Sequence, residues 1–363
     1  MDFSLSDEQQ MLQESLGRYL REQCPLQRVR DLADGDLDVA KTIHAELVEL
    51  GVTALLVPAQ YGGLGLGVLD AILVQEMLGR HVSPAAFMSS ALLSVVAIRG
   101  GGDDAQQAAW LPAIASGEMS CALAINELAG AREGAGVVAR DGTLSGKALF
   151  VLEYSTATHL IVCDQSARLH MVECAHPGVS ARELSLIDTT RSAHEVVFSK
   201  VPAHSLSAES TLGASAAQVL SLGRLLLAAD SLGAAEAMLE QALAYAKERQ
   251  QFGRTIGSFQ AVKHMCAEMA ARLEPCRSLL WYAAHAADSA AHDSELMALL
   301  AKSHLADVGQ FVARTATEVH GGMGFTDLLG LHYWFKRLGV NRQLLGGPER
   351  LREEAARVQG WVN

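Results

Sequence analysis

The sequence predicts an α+β protein with an N-terminal α-helical domain, a small middle β domain and a C-terminal four-helix bundle. Three observations carry that prediction. Apolar residues recur at helical spacing through roughly the first 118 residues. Short apolar runs separated by Gly, Pro and polar residues then fill about 119–205. From about 212 onward the helical spacing returns in long alanine- and leucine-rich segments. Aromatic residues make up only 5% of the chain, which suits close helix packing better than a large β-sandwich. The expected domains are 1–118, 119–211 and 212–363.

The elements follow in order. Ser6-Asp7-Glu8-Gln9 is an N-terminal cap with acidic residues in the first turn, and Met11-Leu12, Leu16 and Tyr19-Leu20 continue the apolar face. Val39–Leu50 repeats the pattern and stops at Gly51. A glycine-rich loop, Tyr61-Gly62-Gly63-Leu64-Gly65-Leu66-Gly67, leads into a helix over Val68–Leu78. Further helices are expected over Ala85–Ile98 and Ala105–Ile114. Ser120–Asn126 is apolar without helical spacing, and Gly142–Gly146 reads as a turn and strand start. His159–Cys163, Leu169–Glu173 and Glu195–Phe198 read as strands, and Pro202 with Ser205–Ser207 closes the β region. Ala214–Arg249, Phe259–His285, Ser294–Val319 and Gly330–Leu344 supply the four C-terminal helices.

Composition narrows the function. Half of the 363 residues are apolar and 19% are charged, enough for a buried core and too structured a mix for wholesale disorder. A net charge of −12 argues against non-specific nucleic-acid binding, because phosphates need a basic face. The six cysteines are scattered with no CxxC pair, as expected of reduced thiols in a cytoplasmic protein, and no metal site is predicted. The acidic N-terminus lacks the apolar stretch of a signal peptide. Runs such as Leu225–Ala229 are far short of the ~20 residues that span a bilayer, so no membrane span is expected.

Five motifs in consistent order then carry a resemblance. They are Phe3–Gln10, the loop Pro58–Gly67, Tyr245-Ala246-Lys247-Glu248-Arg249-Gln250-Gln251-Phe252-Gly253, Ile256-Gly257-Ser258-Phe259-Gln260, and His320-Gly321-Gly322-Met323-Gly324-Phe325. Over essentially the full length, the chain resembles the acyl-CoA dehydrogenase family. The resemblance implies FAD at a subunit interface of an oligomer, a dimer of dimers. It also implies removal of two hydrogens from Cα and Cβ of an acyl-CoA thioester, with a glutamate taking the α-proton. Electrons would then pass to an electron-transfer flavoprotein or a similar acceptor.

That resemblance assigns roles to residues. Arg249, in the Arg-x-x-Phe-Gly motif, would reach the FAD diphosphate, where a guanidinium suits bidentate contact. Phe252 would pack on the cofactor and Gln260 would hydrogen-bond it. Gly321, Gly322 and Gly324 would let backbone N–H groups come close. Glu318 stands where the family usually has glutamine, either facing the diphosphate unfavourably or facing solvent. For the flavin ring, Asn126-Glu127-Leu128-Ala129-Gly130-Ala131-Arg132 keeps only part of the family's pattern. Phe150 could stack on the ring, but Leu152 replaces a hydroxyl-bearing residue. The cofactor set is therefore Arg249, Phe252, Gln260, Glu318, Gly321, Gly322, Gly324, Asn126, Phe150 and Leu152.

The catalytic base is the departure. In most members it lies in a segment that here reads Leu344-Leu345-Gly346-Gly347-Pro348, and in a minority it is the residue before a family-typical arginine, here Gly223 before Arg224. Neither place carries a carboxylate, and Glu349 is expected to face elsewhere. Asp230, six residues beyond Arg224 on an apolar helix, is the replacement candidate, to be weighed against a helix-interior aspartate satisfied by a neighbour. Asp327 and Glu127 are weaker candidates. Arg224 is assigned to the substrate site or to a carboxylate partner. Three readings stay open: one subunit type of a hetero-oligomer whose partner supplies the glutamate, for a steroid side-chain or other bulky acyl-CoA; a homo-oligomer using Asp230; and a non-catalytic acyl-CoA-binding homologue.

Overall fold

In the computed structural model, residues 4–83, 87–130, 132–206 and 214–362 are described. Phe3, Ala85, Ala131 and Ser207, and the boundary expected at 211/212, lie outside them. Packing groups the chain into two units. One comprises residues 1–34, 72–83 and 224–363, and the other 35–71 and 84–223.

The first unit is helical. It opens with α1 (Asp7–Gln23), capped as expected: Ser6 Oγ accepts from Gln9 N at 3.2 Å, and Gln9 Oε1 accepts from Ser6 N at 3.1 Å. The short α2 (Leu26–Ala33) follows. The unit also holds most of α4 (Val68–Arg80), then α7 (Ala214–Glu248) beyond Gly223, α8 (Gln260–Asp288), α9 (Ser294–His320), α10 (Leu331–Gln343) and α11 (Pro348–Val358). Leu225, Leu226, Leu227, Ala228, Ala229 and Leu232 of α7 are all buried, so this helix is apolar on every side through its centre. The expected four C-terminal helices are joined by a fifth, α11. Its sequence is strongly polar, and only Pro348, Leu351 and Ala355 are buried.

The second unit carries α3 (Leu37–Glu49), a π-helical turn Phe87–Leu93 running into α5 (Ser94–Gly101), and α6 (Asp104–Ala115). In the loop before α4, a Cβ on Gly63 would stand 2.0 Å from the carbonyl oxygen of Val57, so only glycine fits. The strands are β1 (Cys121–Ala124), β2 (Gly136–Arg140), β3 (Thr143–Leu152), β4 (His159–Cys163), β5 (Leu169–Glu173), β6 (Val179–Leu184), β7 (Ala193–Pro202) and β8 (His204–Ser205). They form one sheet in the order β6-β7-β3-β1-β4-β5-β8, with β2 paired to β3. All pairs are antiparallel except β1 with β4. Ala122, Leu144, Ala148, Val151, Leu160, Val162 and Val196 centre its core. No helix among the described residues is long and apolar enough to cross a membrane.

Candidate functional site

The end of α7 builds one candidate site. Its backbone turns through a two-residue hairpin, β9 (Gln250–Gln251) and β10 (Arg254–Thr255). Phe252 (φ 53°) and Gly253 (φ 76°) occupy the turn, the pattern of a type I′ hairpin that ordinarily favours Asn-Gly. A left-handed phenylalanine is backbone strain, of about 1–3 kcal/mol by the usual cost of such positions. Its ring is nevertheless 89% exposed, touching Phe259 edge-on at 6.1 Å. The strain therefore presents an aromatic face outward.

Opposite this turn lies the end of α9. Tyr245, Arg249, Phe252, Phe259, Glu318, His320, Gly321 and Gly322 line one open groove of about 580 Å3. Arg249 is exposed, and among the described residues no carboxylate is recorded on its guanidinium. A Cβ on Gly322 would meet nothing within 4 Å, and its φ is not positive, so neither local packing nor conformation demands glycine there. A small residue without an internal reason fits close approach by something outside the chain. A cation and bare backbone facing one groove suit the anionic middle of a dinucleotide.

Not every expected residue joins them. Gly324 is buried, and a Cβ there would stand 2.7 Å from Thr317 O and 3.0 Å from His320 Cβ, so its small size serves internal packing rather than a cofactor. Gln260 is the exposed first residue of α8 and does not line the groove. Glu318 is exposed and does line it, bringing a negative charge to the same wall as Arg249. Sequence reading placed Tyr245 and His320 in motifs but gave them no role; their rings lie 4.7 Å apart, and His320 Nδ1 bonds Ala316 O at 2.7 Å.

The expected ring-binding residues lie in the sheet. Strand β3 bulges between Ala148 and Val151, placing one extra residue opposite β7, and Phe150 there takes φ 54°. The turn Asn126–Ala129 stitches this bulge: Asn126 Nδ2 donates to Phe150 O at 2.7 Å, and Leu149 N donates to Glu127 Oε1 at 3.0 Å. Asn126 is buried, yet its Oδ1 has no partner, an acceptor left for an outside donor. The Arg132 guanidinium covers the Phe150 ring at 4.6 Å. Leu152 is buried in the sheet opposite Leu123 and Ala193 and offers no polar atom. The diphosphate end of FAD thus fits the residues present, apart from Glu318. The ring end has one waiting acceptor and lacks the hydroxyl.

The positions for a base are clear. Gly346 is buried with φ 109°, and a Cβ there would meet Leu351 Cδ2 at 3.0 Å and Arg224 Nη2 at 3.8 Å. Leu345 is buried and Gly223 has no side chain. Glu349 is exposed and bound by Arg342 at 2.7 Å; its own backbone N–H, and then Arg342, hold its carboxyl below the usual range. Arg224 is 3% exposed; its Nε donates to Leu345 O at 3.1 Å and its Nη2 to Glu354 Oε2 at 2.7 Å. Its guanidinium ties α7 to α11, the carboxylate partnership that was one of its two expected roles. Nearby, the buried Lys302 caps the end of α10, donating to Asn341 O at 2.7 Å.

Asp230 has the surroundings of the alternative weighed for it, a helix-interior aspartate held by neighbours. It is fully buried, its Oδ1 accepts from Asn341 Nδ2 at 2.7 Å, and its Oδ2 accepts from Gln75 Nε2 at 2.8 Å and Arg337 Nη1 at 3.2 Å. Interior donors thus reach both oxygens of a carboxylate that is itself fully buried. Asp327 is on the surface, bound by Arg30 at 3.0 Å, and Glu127 holds the β3 bulge.

Known proteins share this architecture. Residues 6–118 match the family described as "Acyl-CoA dehydrogenase, N-terminal domain", and residues 213–359 match "Acyl-CoA dehydrogenase, C-terminal domain". The chain is 31% identical to the short-chain-specific acyl-CoA dehydrogenase of Megasphaera elsdenii over 355 residues, covering 90% of this chain and 91% of that one. It is 28% identical to acyl-CoA dehydrogenase IpdE2 of Mycolicibacterium smegmatis, covering 99% of this chain and 100% of the relative. Among solved structures, a chain of a glycine-to-alanine variant of the Tcur3481-Tcur3483 steroid ACAD superposes with a TM-score of 0.90 at 28% identity, covering 98% of this chain and 99% of that one.

Proposed function

Because the chain belongs to the acyl-CoA dehydrogenase family, we propose that it is one subunit type of a hetero-oligomeric, FAD-dependent enzyme whose related partner supplies the catalytic glutamate. As an oxidoreductase of the CH–CH class, it would take part in α,β-dehydrogenation of an acyl-CoA thioester. The observation that carries this reading is a contrast within one chain. The Arg249 groove is open and fits a diphosphate, whereas each expected base position is glycine or leucine and the replacement candidate Asp230 is fully buried with interior donors on both oxygens.

When bound, FAD supplies the acceptor for the β-hydride. Arg249 would hold the diphosphate by charge-assisted hydrogen bonds, and Gly321 and Gly322 would let it approach the backbone. The strained turn sets Phe252 where its exposed ring can cover the cofactor. Asn126 Oδ1 would accept one hydrogen bond from the ring in this chain's own sheet. Arg132 over Phe150 and the apolar Leu152 make that half a poor ring site, which favours use of this chain's groove to complete a site whose base belongs to the partner.

The substrate class we favour is a steroid side-chain or other bulky acyl-CoA thioester. The paired, steroid-specific name of the Tcur3481-Tcur3483 relative supports both that class and a mixed assembly. Electrons would leave to an electron-transfer flavoprotein or a similar acceptor, and the cytoplasm suits six cysteines that form no disulfide. Native mass spectrometry of the protein purified from its own cells tests the reading. It predicts a stoichiometric complex with a related chain of similar size and bound FAD. A homo-oligomer that alone oxidises acyl-CoA overturns it.

A further inference from the structure

A second cavity, of about 480 Å3, lies between α1, α4, α7 and α8, away from every residue assigned above. Its floor is Glu76, 1% exposed. Glu76 Oε1 accepts from Arg277 Nη1 at 2.7 Å, whereas the buried Oε2 has no hydrogen-bond partner. A buried carboxylate oxygen left unpaired is costly unless a donor reaches it.

No guanidinium in the cavity is left over to do so. Arg277 is shared between Glu76 and Glu236, and Arg80 between Glu236 and Glu240. The lining holds four carboxyl groups, Glu76, Glu236, Glu240 and Glu274, against those two arginines, so acidic groups outnumber guanidiniums. Met77, Leu239, Leu243 and Leu273 form the wall, and the one residue from α1 is the neutral Gln13. Glu240 and Glu274 are exposed at the rim. Among the described residues, no group of three His, Cys, Asp or Glu side chains is placed to hold a metal ion.

We propose that this cavity is an accessory binding site for a short aliphatic diamine in its doubly protonated form. One ammonium donates to Glu76 Oε2, the methylenes lie along the leucine wall, and the second ammonium stays at the rim with Glu240 and Glu274. The charge of the ligand suits a lining in which carboxyl groups outnumber guanidiniums, and its stem matches the apolar wall. Burial pushes the Glu76 carboxyl up to about 7; Arg277 and Arg80 pull it down, and Glu236 pushes it further up. An ammonium prefers the ionised carboxylate, so binding releases protons below that pH and tightens as pH rises.

Isothermal titration of the full-length protein with 1,4-diaminobutane tests the site. The expected result is saturable one-to-one binding, roughly tenfold weaker at pH 6 than at pH 8, with n-butylamine weaker still and 1,4-butanediol silent. Glu76→Gln should lose about tenfold in affinity and the pH dependence together. The double variant Glu240→Gln/Glu274→Gln alters exposed residues only, so it should fold normally and lose the preference for the diamine over n-butylamine. Absence of saturable heat up to about 10 mM diamine, a site too weak to matter, overturns the proposal. So does diamine binding that is independent of pH and unchanged in both variants.

Discussion

Arg337 on α10 and Asp230 on α7 form an ion pair, Nη1 to Oδ2 at 3.2 Å, with each side chain only 1% exposed. Arg337 also donates to Ser83 O at 3.1 Å, and Gln75 and Asn341 donate to the same carboxylate. This knot joins α4, α7 and α10. It turns the one acidic residue on the apolar stretch of α7 into an interior fastening.

Asp230→Asn should therefore act on stability. Removing one member of a buried pair leaves the other charge uncompensated, at a cost of about 3–5 kcal/mol. Chemical denaturation should show a lower midpoint with an unchanged slope. A variant of wild-type stability would mean that the knot is not formed.

Arg249→Ala should release flavin without unfolding the chain, since its guanidinium is exposed and its backbone hydrogen bond to Tyr245 O stays. Charge-assisted hydrogen bonds of about 1.5–3 kcal/mol predict roughly tenfold to hundredfold weaker FAD binding. Arg249→Lys should recover only part, because an ammonium lacks the planar fork. Flavin fluorescence titration and circular dichroism, read together, check both halves.

Two buried groups should give stability opposite slopes with pH. The raised carboxyl of Glu76, about 7 against an unfolded 4.5, makes the folded state hold more protons over that interval, so its contribution is full below 4.5 and is lost as pH rises toward 7. Burial, with Arg224 and Arg342 adding to it, lowers the Lys302 ammonium to about 7 from 10.5, so the unfolded state holds more protons and stability rises between 7 and 10.5. Glu76→Gln should flatten the first slope and Lys302→Met the second. Melting temperatures taken across pH 4–11 separate the two.

Gly346→Glu should fail to create an active chain. The left-handed backbone at φ 109° strains any side chain, Leu351 stands 3.0 Å from the new Cβ, and the Arg224 guanidinium stands 3.8 Å from it. A cation that close keeps a carboxylate ionised and weakens it as a base. The expected result is a protein less stable by about 1–3 kcal/mol with no acyl-CoA turnover of its own, checked by thermal melting and a dye-reduction assay.

Legibility in the sequence followed burial. The long α7 shows because alanine and leucine continue through its centre, and β4 and β5 show as short apolar runs between polar breaks. The edge strand β6 did not show, because four of its six residues are exposed and no apolar alternation marks it. Helix α11 hid behind its polar face. At the groove, Arg249, Phe252 and Gly321-Gly322 could be read from motifs, while the packing role of Gly324 required the position of Thr317. The two readings of Asp230 stayed open in the sequence for a similar reason. Its partners Gln75, Arg337 and Asn341 lie 155, 107 and 111 residues away, where no local pattern points to them.

The division of the active site between unlike chains is tested most directly by anaerobic addition of acyl-CoA to flavin-loaded protein, with the flavin absorbance followed before and after the partner chain is added. Alone, this chain should leave the absorbance unchanged; the mixed assembly should bleach, and should stop bleaching when the partner's glutamate is replaced by glutamine. Rapid bleaching by this chain alone would contradict the account.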